Sequence, residues 1–250
     1  MDLRYALLAF VVANAPSLSA QASAGEGEAI RSIDGAVAPA GTWYTRGGCA
    51  SRSGATETLP VEGELAPAWT FTAEGTIDGE PLVWNQNVFV SSYDKKKKRA
   101  WIEWIDLETG QRLDAEDFKT ERPLHPSIWR NRMVLRSGPK KLSFYRLSQG
   151  RFSKVNDYRS KFPLGEPLLF ENQAFVIDKA GFVGLRSGRS KPDWRHDGLF
   201  YGVPSLRGDM VYGLEYSLVG EVHLVQLDRE TGRERLRRLV AVYPDGYVGD

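Results

Sequence analysis

This 250-residue chain has only three histidines and one cysteine, and the spacing of these residues favours neither catalysis nor metal binding. The three histidines, His125, His196 and His223, stand in dissimilar contexts, without the i, i+4 spacing or the carboxylate partner of a metal site or acid–base pair. The single cysteine, Cys49, excludes an intrachain disulfide, and we expect a small buried residue rather than a reactive thiol. We therefore predict no catalytic, cofactor-binding or metal-binding residues.

The charged residues also have ordinary explanations. The run Lys95–Arg99 lies between two predicted strands, and we expect a solvated hairpin tip rather than an anion- or partner-binding patch. A second basic cluster belongs to a predicted outer strand, where it discourages edge-to-edge pairing: Arg233, Arg235, Arg237 and Arg238. Lys+Arg total 33 and Asp+Glu 32, so no global field favours nucleic acid or an anionic membrane, and we expect neither as a partner.

The N-terminus has the organisation of a secretory signal peptide. An apolar segment, Tyr5–Ala15, is ended by Pro16, and small residues suited to signal peptidase follow at Ala20 and Ala22. No later apolar run approaches the roughly 18 residues of a membrane helix, so we expect no transmembrane anchor. We predict a signal peptide over 1–24, a linker over 25–41, and an exported protein that is periplasmic or extracellular.

From residue 42 onward the chain repeats itself. Four units begin near residues 79, 124, 165 and 202, and each contains a proline, an apolar triplet, a polar turn and a second apolar run. The prolines, which recur roughly every 40 residues, are Pro81, Pro126, Pro167 and Pro204. This period is typical of four-stranded propeller blades.

Within a unit, short β-branched and aromatic runs predict strands rather than helices. In the first unit Pro81 begins a short inner strand, Asn85–Asn87 forms a turn, and Val88–Ser92 is the second strand. The third strand, Trp101–Ile105, leads into Asp106–Gly110, where an Asp or Thr side chain can bond backbone N–H groups and Gly can adopt positive φ. A polar fourth strand then completes the blade.

This order of parts resembles the PQQ-like repeat of quinoprotein dehydrogenases and of the lipoprotein that assists outer-membrane barrel assembly. The lead-in, Trp43–Gly54 followed by Ala68–Phe71, looks like the entry of exported bacterial propellers of this kind. The resemblance covers most of the chain beyond Thr42. It implies an all-β fold, a β-propeller of four-stranded antiparallel blades related to WD40 and YVTN-like repeats, with about four blades over 42–250.

Two features depart from the family pattern. The third unit lacks a clear Asp-x-x-Thr-Gly and has only Leu185–Gly188 in its place, so its blade is expected to be trimmed. Propellers of this family usually close with seven or eight blades, whereas four are visible. Three alternatives therefore stay open: the front part of a longer propeller, a complete four-blade ring, or a half-propeller that pairs.

The resemblance also bears on function. A quinoprotein dehydrogenase implies a tryptophan floor for the quinone, a calcium ion and an Asp base, and no Asp or Asn of this sequence matches that site. Trp84 and Trp129 occupy equivalent repeat positions, which favours packing between blades over a cofactor platform. We predict a non-catalytic exported scaffold that binds a protein partner or small ligand on a propeller face. The alternative is a PQQ-dependent dehydrogenase-like or carbohydrate-active enzyme on the same fold.

Overall fold

The chain is seen in a computed structural model that describes residues 7–10, 67–120 and 122–243, and the regular structure of these residues is entirely β. Strand β1 (Leu7–Phe10) pairs antiparallel with β2 (Trp69–Thr72), and a two-residue strand, β3 (Thr76–Ile77), follows. Strand β1 lies inside the segment predicted to be a signal peptide. None of the described residues forms a helix with the length and hydropathy needed to cross a bilayer.

Sixteen further strands form four antiparallel sheets, here called blades 1 to 4, each with its strands in chain order from the inner to the outer edge. Blade 1 is β4 (Leu82–Trp84), β5 (Asn87–Asp94), β6 (Arg99–Asp106) and β7 (Arg112–Lys119), with β3 also paired to β5. Blade 2 is β8 (Ser127–Trp129), β9 (Arg132–Gly138), β10 (Lys141–Ser148) and β11 (Arg151–Arg159). Blade 3 is β12 (Leu168–Phe170), β13 (Gln173–Asp178), β14 (Gly181–Arg186) and β15 (Trp194–Asp197). Blade 4 is β16 (Phe200–Arg207), β17 (Met210–Tyr216), β18 (Glu221–Asp228) and β19 (Glu234–Val242). The predicted fold class is confirmed.

The repeat prolines mark the inner strands, with one exception. In blades 1 to 3 the inner strand begins directly after the proline, where no ladder N–H is needed. In blade 4 it begins earlier, at Phe200, so Pro204 lies inside β16. The pairing with β17 shifts register between Tyr201 and Ser205, and this irregularity accommodates a residue without an N–H.

Blade 3 differs from its neighbours in strand length rather than in strand number. It retains four strands, but β14 has six residues and β15 four, whereas the third and fourth strands of the other blades have eight or nine. The outer half of blade 3 is therefore shortened. The missing Asp-x-x-Thr-Gly does not by itself account for this, because blade 2 has Leu147–Gly150 in place of that sequence and keeps outer strands of eight and nine residues.

The blades stack face to face around buried apolar side chains. The inner strands β4, β8, β12 and β16 lie side by side in that order, and one cluster of buried side chains runs through all four blades. No strand of blade 1 packs against a strand of blade 4 to a comparable extent within the described residues. Blade 4 instead exposes Tyr201, Leu214 and Leu236 on its far face. This arrangement is an open arc and does not support the alternative of a complete four-blade ring.

Tryptophans on outer strands join one blade to the next. Trp194 of β15 lies against Gly232 in the last turn of blade 4 and donates its indole N–H to the Arg229 carbonyl at 2.7 Å. Trp69 of β2 makes the same contacts with blade 1, lying against Gly110 and donating to the Leu107 carbonyl at 2.8 Å. Strand β2 therefore takes the place of an outer strand in front of blade 1.

The Asp-x-x-Thr-Gly turns have the predicted structure. In blade 4 the Asp228 carboxylate accepts hydrogen bonds from the Thr231 N–H at 3.0 Å and the Thr231 hydroxyl at 2.8 Å, and Gly232 has φ 67°. Asp106 accepts the same two bonds from Thr109 in blade 1. These bonds fix the turn that connects the third and fourth strands.

The Asp228 turn predicts acid sensitivity. Hydrogen bonds from Arg235 and Thr231 lower the pKa of Asp228 to about 2. Because the folded pKa lies below the unfolded value, the carboxylate stabilises the fold above pH ~4, and this contribution is lost as pH falls toward ~2. Because Arg235 is half exposed, we expect the Asp228 carboxylate to contribute only about 1 kcal/mol to the free energy of unfolding. Urea unfolding of the parent and of Asp228→Asn at pH 6 and pH ~2.5 checks this prediction. The difference in the free energy of unfolding between the two proteins should shrink at the lower pH, and a difference that stays constant would contradict it.

Candidate functional site

An aromatic row lies where the inner strands end. Trp84, Trp129 and Phe170 are the last residues of β4, β8 and β12. The ring centroids of Trp84 and Trp129 are 5.8 Å apart, and those of Trp129 and Phe170 are 4.4 Å apart. The two tryptophans at equivalent repeat positions therefore contact each other across blades, as the packing interpretation expects.

Beside this row, the turn ends of blades 1 and 2 enclose an open cleft of about 650 Å³. This volume is within the range of small-molecule sites, roughly 300 to 1,000 Å³. Eleven residues line it: Trp84, Asn85, Asn87, Phe89, Trp104, Arg130, Asn131, Leu147, Ser148, Gln149 and Gly150. We call this space the blade 1–2 cleft.

The aromatic floor of the blade 1–2 cleft is held in place by hydrogen bonds and ring packing. The Trp104 indole N–H donates to the Asn87 side-chain oxygen at 2.6 Å. The Asn87 amide nitrogen donates to the carbonyl oxygens of Trp84 and Asn85. Trp104 also packs on Phe89, with ring centroids 5.3 Å apart. The floor is therefore preorganised and does not need to rearrange when a ligand enters.

The rim consists of tight turns with unusual backbone angles. Asn85, Arg130 and Gln149 have φ of 45°, 52° and 51°, a region that costs energy for residues other than glycine. Asn85 was predicted to lie in such a turn, and asparagine tolerates this conformation well. Arginine and glutamine tolerate it less well, so positive φ at Arg130 and Gln149 was not evident from the sequence.

The corresponding space between blades 3 and 4 is closed. Arg229 occupies the position of Leu147, as the bonds to the inner turn show: Arg229 N–H donates to the Asp209 carbonyl at 3.0 Å and Leu147 N–H to the Asn131 carbonyl at 2.8 Å. The Arg229 guanidinium lies 5.4 Å from the Phe170 ring centroid and 3.2 Å from the Glu171 carboxylate. A long paired side chain thus fills one space, whereas Leu147 leaves the other open.

The lining of the blade 1–2 cleft is suited to non-covalent binding. Its described side chains are aromatic, aliphatic, amide, hydroxyl and guanidinium groups, without a carboxylate or imidazole that would exchange protons near neutral pH. Arg130 is exposed and has no ion-pair partner among the described residues. The cleft therefore offers apolar surface, neutral hydrogen-bonding groups and one uncompensated positive charge.

The opposite end of the inner strands holds only a small space. Asp78, Glu80, His125 and Glu166 are among the residues around a cavity of about 20 Å³, enough for about one water molecule. His125 and Glu166 precede the prolines of successive repeats, and His125 Nδ1 lies 3.6 Å from the Glu166 carboxylate. We assign no ligand to this cavity because of its size.

The prediction that the histidines lack carboxylate partners is wrong. Besides the pair of His125 with Glu166, His196 lies 3.5 Å from Glu234 and His223 lies 3.8 Å from Glu221. The partners of His125 and His196 come from other blades, and those distant pairings are invisible to local spacing. Within the described part of the chain, no three His, Cys, Asp or Glu side chains cluster closely enough to hold a metal ion.

Lys95 to Lys98 form an exposed turn between β5 and β6, as predicted for the tip of a hairpin, and Arg99 is the first residue of β6, where it pairs with Asp117. Hydrogen bonds from the Lys97 and Lys96 backbone N–H groups to the Asp94 carboxylate hold this tip and lower the pKa of Asp94. Of the other sequence features, Cys49, the linker over 25–41 and the Trp43–Gly54 lead-in lie outside the described residues.

The arginine cluster lies on the outer strand of blade 4 and the turn before it, as predicted. Arg235 pairs with Asp228 at 2.9 Å, and Arg237 pairs with Glu215 and Glu234. Because these two arginines are neutralised locally, the cluster provides less free positive charge than its sequence indicates.

No family model matches the sequence, and no curated protein matches it significantly. Solved structures share its fold. The WD40 domain of Toxoplasma gondii coronin is 7% identical over 64% of this chain and 45% of its own, with a TM-score of 0.50. BamB from Moraxella catarrhalis is 13% identical over 71% of this chain and 69% of its own, with a TM-score of 0.43. Hydrazine synthase from Kuenenia stuttgartiensis is 9% identical over 62% and 46%, with a TM-score of 0.48. The chain has a β-propeller fold; at these identities the likeness shows the fold alone.

Proposed function

We propose that this chain is an exported, non-catalytic β-propeller scaffold that binds its ligand in the blade 1–2 cleft. One observation carries the proposal. The repeated architecture closes the space between blades 3 and 4 with Arg229, whereas the equivalent space between blades 1 and 2 is left open at about 650 Å³.

The architecture supports binding rather than chemistry. The blades form a frame of paired strands, and five of the eleven cleft residues lie on its turns, the positions where folds of this kind present binding groups, while the other six belong to the strands. The lining combines apolar floor residues with a few convergent polar groups, as small-molecule sites do. Uptake of PQQ together with calcium in a one-to-one ratio would contradict the non-catalytic part of the proposal and favour the dehydrogenase alternative.

The export part rests on the sequence. It proposes cleavage after a signal peptide over 1–24, a linker over 25–41 and propeller repeats over 42–250, with a mature N-terminus near Ser23 or Gly25. Intact mass of the chain from the exported fraction checks the cleavage point. Recovery of the chain only in the cytoplasm at full mass would contradict export.

The cleft part is tested by the indole resonances of the seven tryptophans. Protein labelled with ¹⁵N in tryptophan is titrated with neutral aromatic and hydroxylated fragments at about millimolar concentration, where weak binders are detected. Trp84→Phe and Trp104→Phe assign the two cleft signals. We expect fragments to shift these two signals first, because their rings form the wall and floor of the cleft.

Trp194 provides the internal reference for this titration. It is buried between blades 3 and 4, and its indole N–H is bonded to the Arg229 carbonyl. Fragment-induced shifts at Trp194 equal to those at Trp84 and Trp104, or shifts that leave the cleft signals unmoved, would overturn the assignment of the binding site.

A further inference from the structure

We propose that the ligand of the blade 1–2 cleft is an acidic oligosaccharide, with one sugar ring against Trp84 and a sugar carboxylate at Arg130. This inference rests on the proposed function, because it names the class of ligand for the same cleft. Three features of the lining lead to it: an accessible indole, a rim of neutral hydrogen-bonding groups and an unpaired guanidinium.

The indole is the first feature. Trp84 is half-buried and lies on the wall of the cleft, whereas Phe89 and Trp104 beneath it are buried. A pyranose ring has one face of C–H groups and a periphery of hydroxyls. Such a face packs on a flat aromatic surface while its polar edge stays hydrated, a division that Trp84 and the polar rim reproduce.

The rim is the second feature. Asn85, Asn131 and Gln149 are exposed on turns around the cleft, Ser148 is exposed at the end of β10, and each of these side chains both donates and accepts hydrogen bonds. Sugar hydroxyls also do both, so neutral amides and hydroxyls match them without ionisation. A peptide that binds by strand addition needs a free strand edge, and the inner turns at this rim offer no such edge.

The guanidinium is the third feature. The planar fork of arginine binds a carboxylate through two parallel hydrogen bonds. In the closed space between blades 3 and 4, Arg229 is matched by Glu171 at 3.2 Å and Asp209 at 3.4 Å. Arg130 has no such match among the described residues, and the cleft lining contains no carboxylate that would repel an acidic ligand. The Arg130 guanidinium is therefore available to pair with a carboxylate of the ligand.

Calorimetric titration with two probes tests the proposal: hexagalacturonate, which is acidic, and cellohexaose, which is neutral. We expect hexagalacturonate to bind at least roughly tenfold more tightly, a difference well within reach of one charged contact. Its affinity should fall as sodium chloride is raised from roughly 50 to 300 mM, because salt screens the charged contact. Arg130→Gln should remove most of this preference.

Matched variants make the test specific. Glu171→Gln changes the equivalent turn position of blade 3 and should leave binding unchanged. Trp84→Ala should weaken binding roughly tenfold, and a thermal melt confirms that it is folded; Asn131→Ala, at an exposed rim position, serves if it is not. Equal affinity for both probes, or binding of hexagalacturonate that ignores Arg130→Gln and salt, would overturn the proposal.

Failure of this inference is distinguishable from failure of the proposed function. If fragments shift the Trp84 and Trp104 signals but neither oligosaccharide binds, the acidic-oligosaccharide assignment is wrong and the cleft remains the binding site. If fragments also leave these signals unmoved, both proposals are overturned.

Discussion

Replacement of Asp178 by alanine is expected to lower the free energy of unfolding by about 3 kcal/mol. Asp178 ends β13 and is 2% exposed. Its carboxylate accepts two hydrogen bonds from the Arg195 guanidinium, at 2.9 and 2.8 Å, and one from the Ser160 hydroxyl at 2.8 Å. Burial alone would raise the pKa of Asp178, but the hydrogen bonds from Arg195, Ser160 and Ala180 outweigh burial and lower it.

The size of this effect follows from what the substitution leaves behind. Without Asp178, the Arg195 charge lacks its bidentate partner, and the Ser160 link from blade 2 to blade 3 is lost. Because the Arg195 side chain is still 30% exposed to water, we take the lower end of the range for broken buried pairs.

Urea unfolding of three variants checks the Asp178 prediction. Asp178→Ala combined with Arg195→Leu should recover at least half of the loss, because no unmatched charge remains. Arg189→Ala, which removes the exposed pair with Asp193, should cost less than about 0.5 kcal/mol. Equal losses of unfolding free energy in Asp178→Ala and Arg189→Ala would show that burial does not determine the strength of these ion pairs.

Trp194→Ala is expected to lower the free energy of unfolding by about 4 kcal/mol. Trp194 is 8% exposed and packs between Gly184 in its own blade and Gly232 in blade 4. A side chain at either glycine would meet the indole, so both positions are fitted to it. Alanine would leave a cavity between blades 3 and 4 and would strand the Arg229 carbonyl.

A graded series separates packing from hydrogen bonding at this position. Trp194→Phe keeps most of the ring and loses the indole N–H, so its cost should be about 1 to 2 kcal/mol. Denaturant unfolding gives both values, and the Trp84 and Trp104 indole signals should be unchanged in either variant. If Trp194→Phe and Trp194→Ala lowered the free energy of unfolding by similar amounts, the hydrogen bond rather than the packing would account for the stabilisation.

The sequence was sufficient for the parts of the fold that depend on local chemistry. The Asp106 and Asp228 turns were predictable because their side chains bond neighbouring backbone groups, and Asn85 in its turn because asparagine tolerates positive φ. The bulge around Pro204 was missed, since the same Pro signal begins a strand in three units and lies within a strand in the fourth.

The candidate site was not predictable to the same extent. Leu147 precedes the turn at Gln149 and Gly150, whereas Arg229 lies inside the turn after Asp228, and the backbone bonds to Asn131 and Asp209 show that the two residues occupy equivalent positions. Whether the space between two neighbouring blades remains open depends on the length of the side chain at this position. The pair of His125 with Glu166 did leave a signal, because both residues directly precede a repeat proline.

The most direct test transfers the closed arrangement of blades 3 and 4 into blades 1 and 2. The variant carries Asn85→Glu, Asn131→Asp and Leu147→Arg, which copy Glu171, Asp209 and Arg229. Fragment titrations of the parent and of this variant are compared through the Trp84 and Trp104 indole signals. Our account predicts that fragments shift both signals in the parent and neither in the folded variant; equal shifts in both proteins would contradict the claim that the blade 1–2 cleft is the binding site.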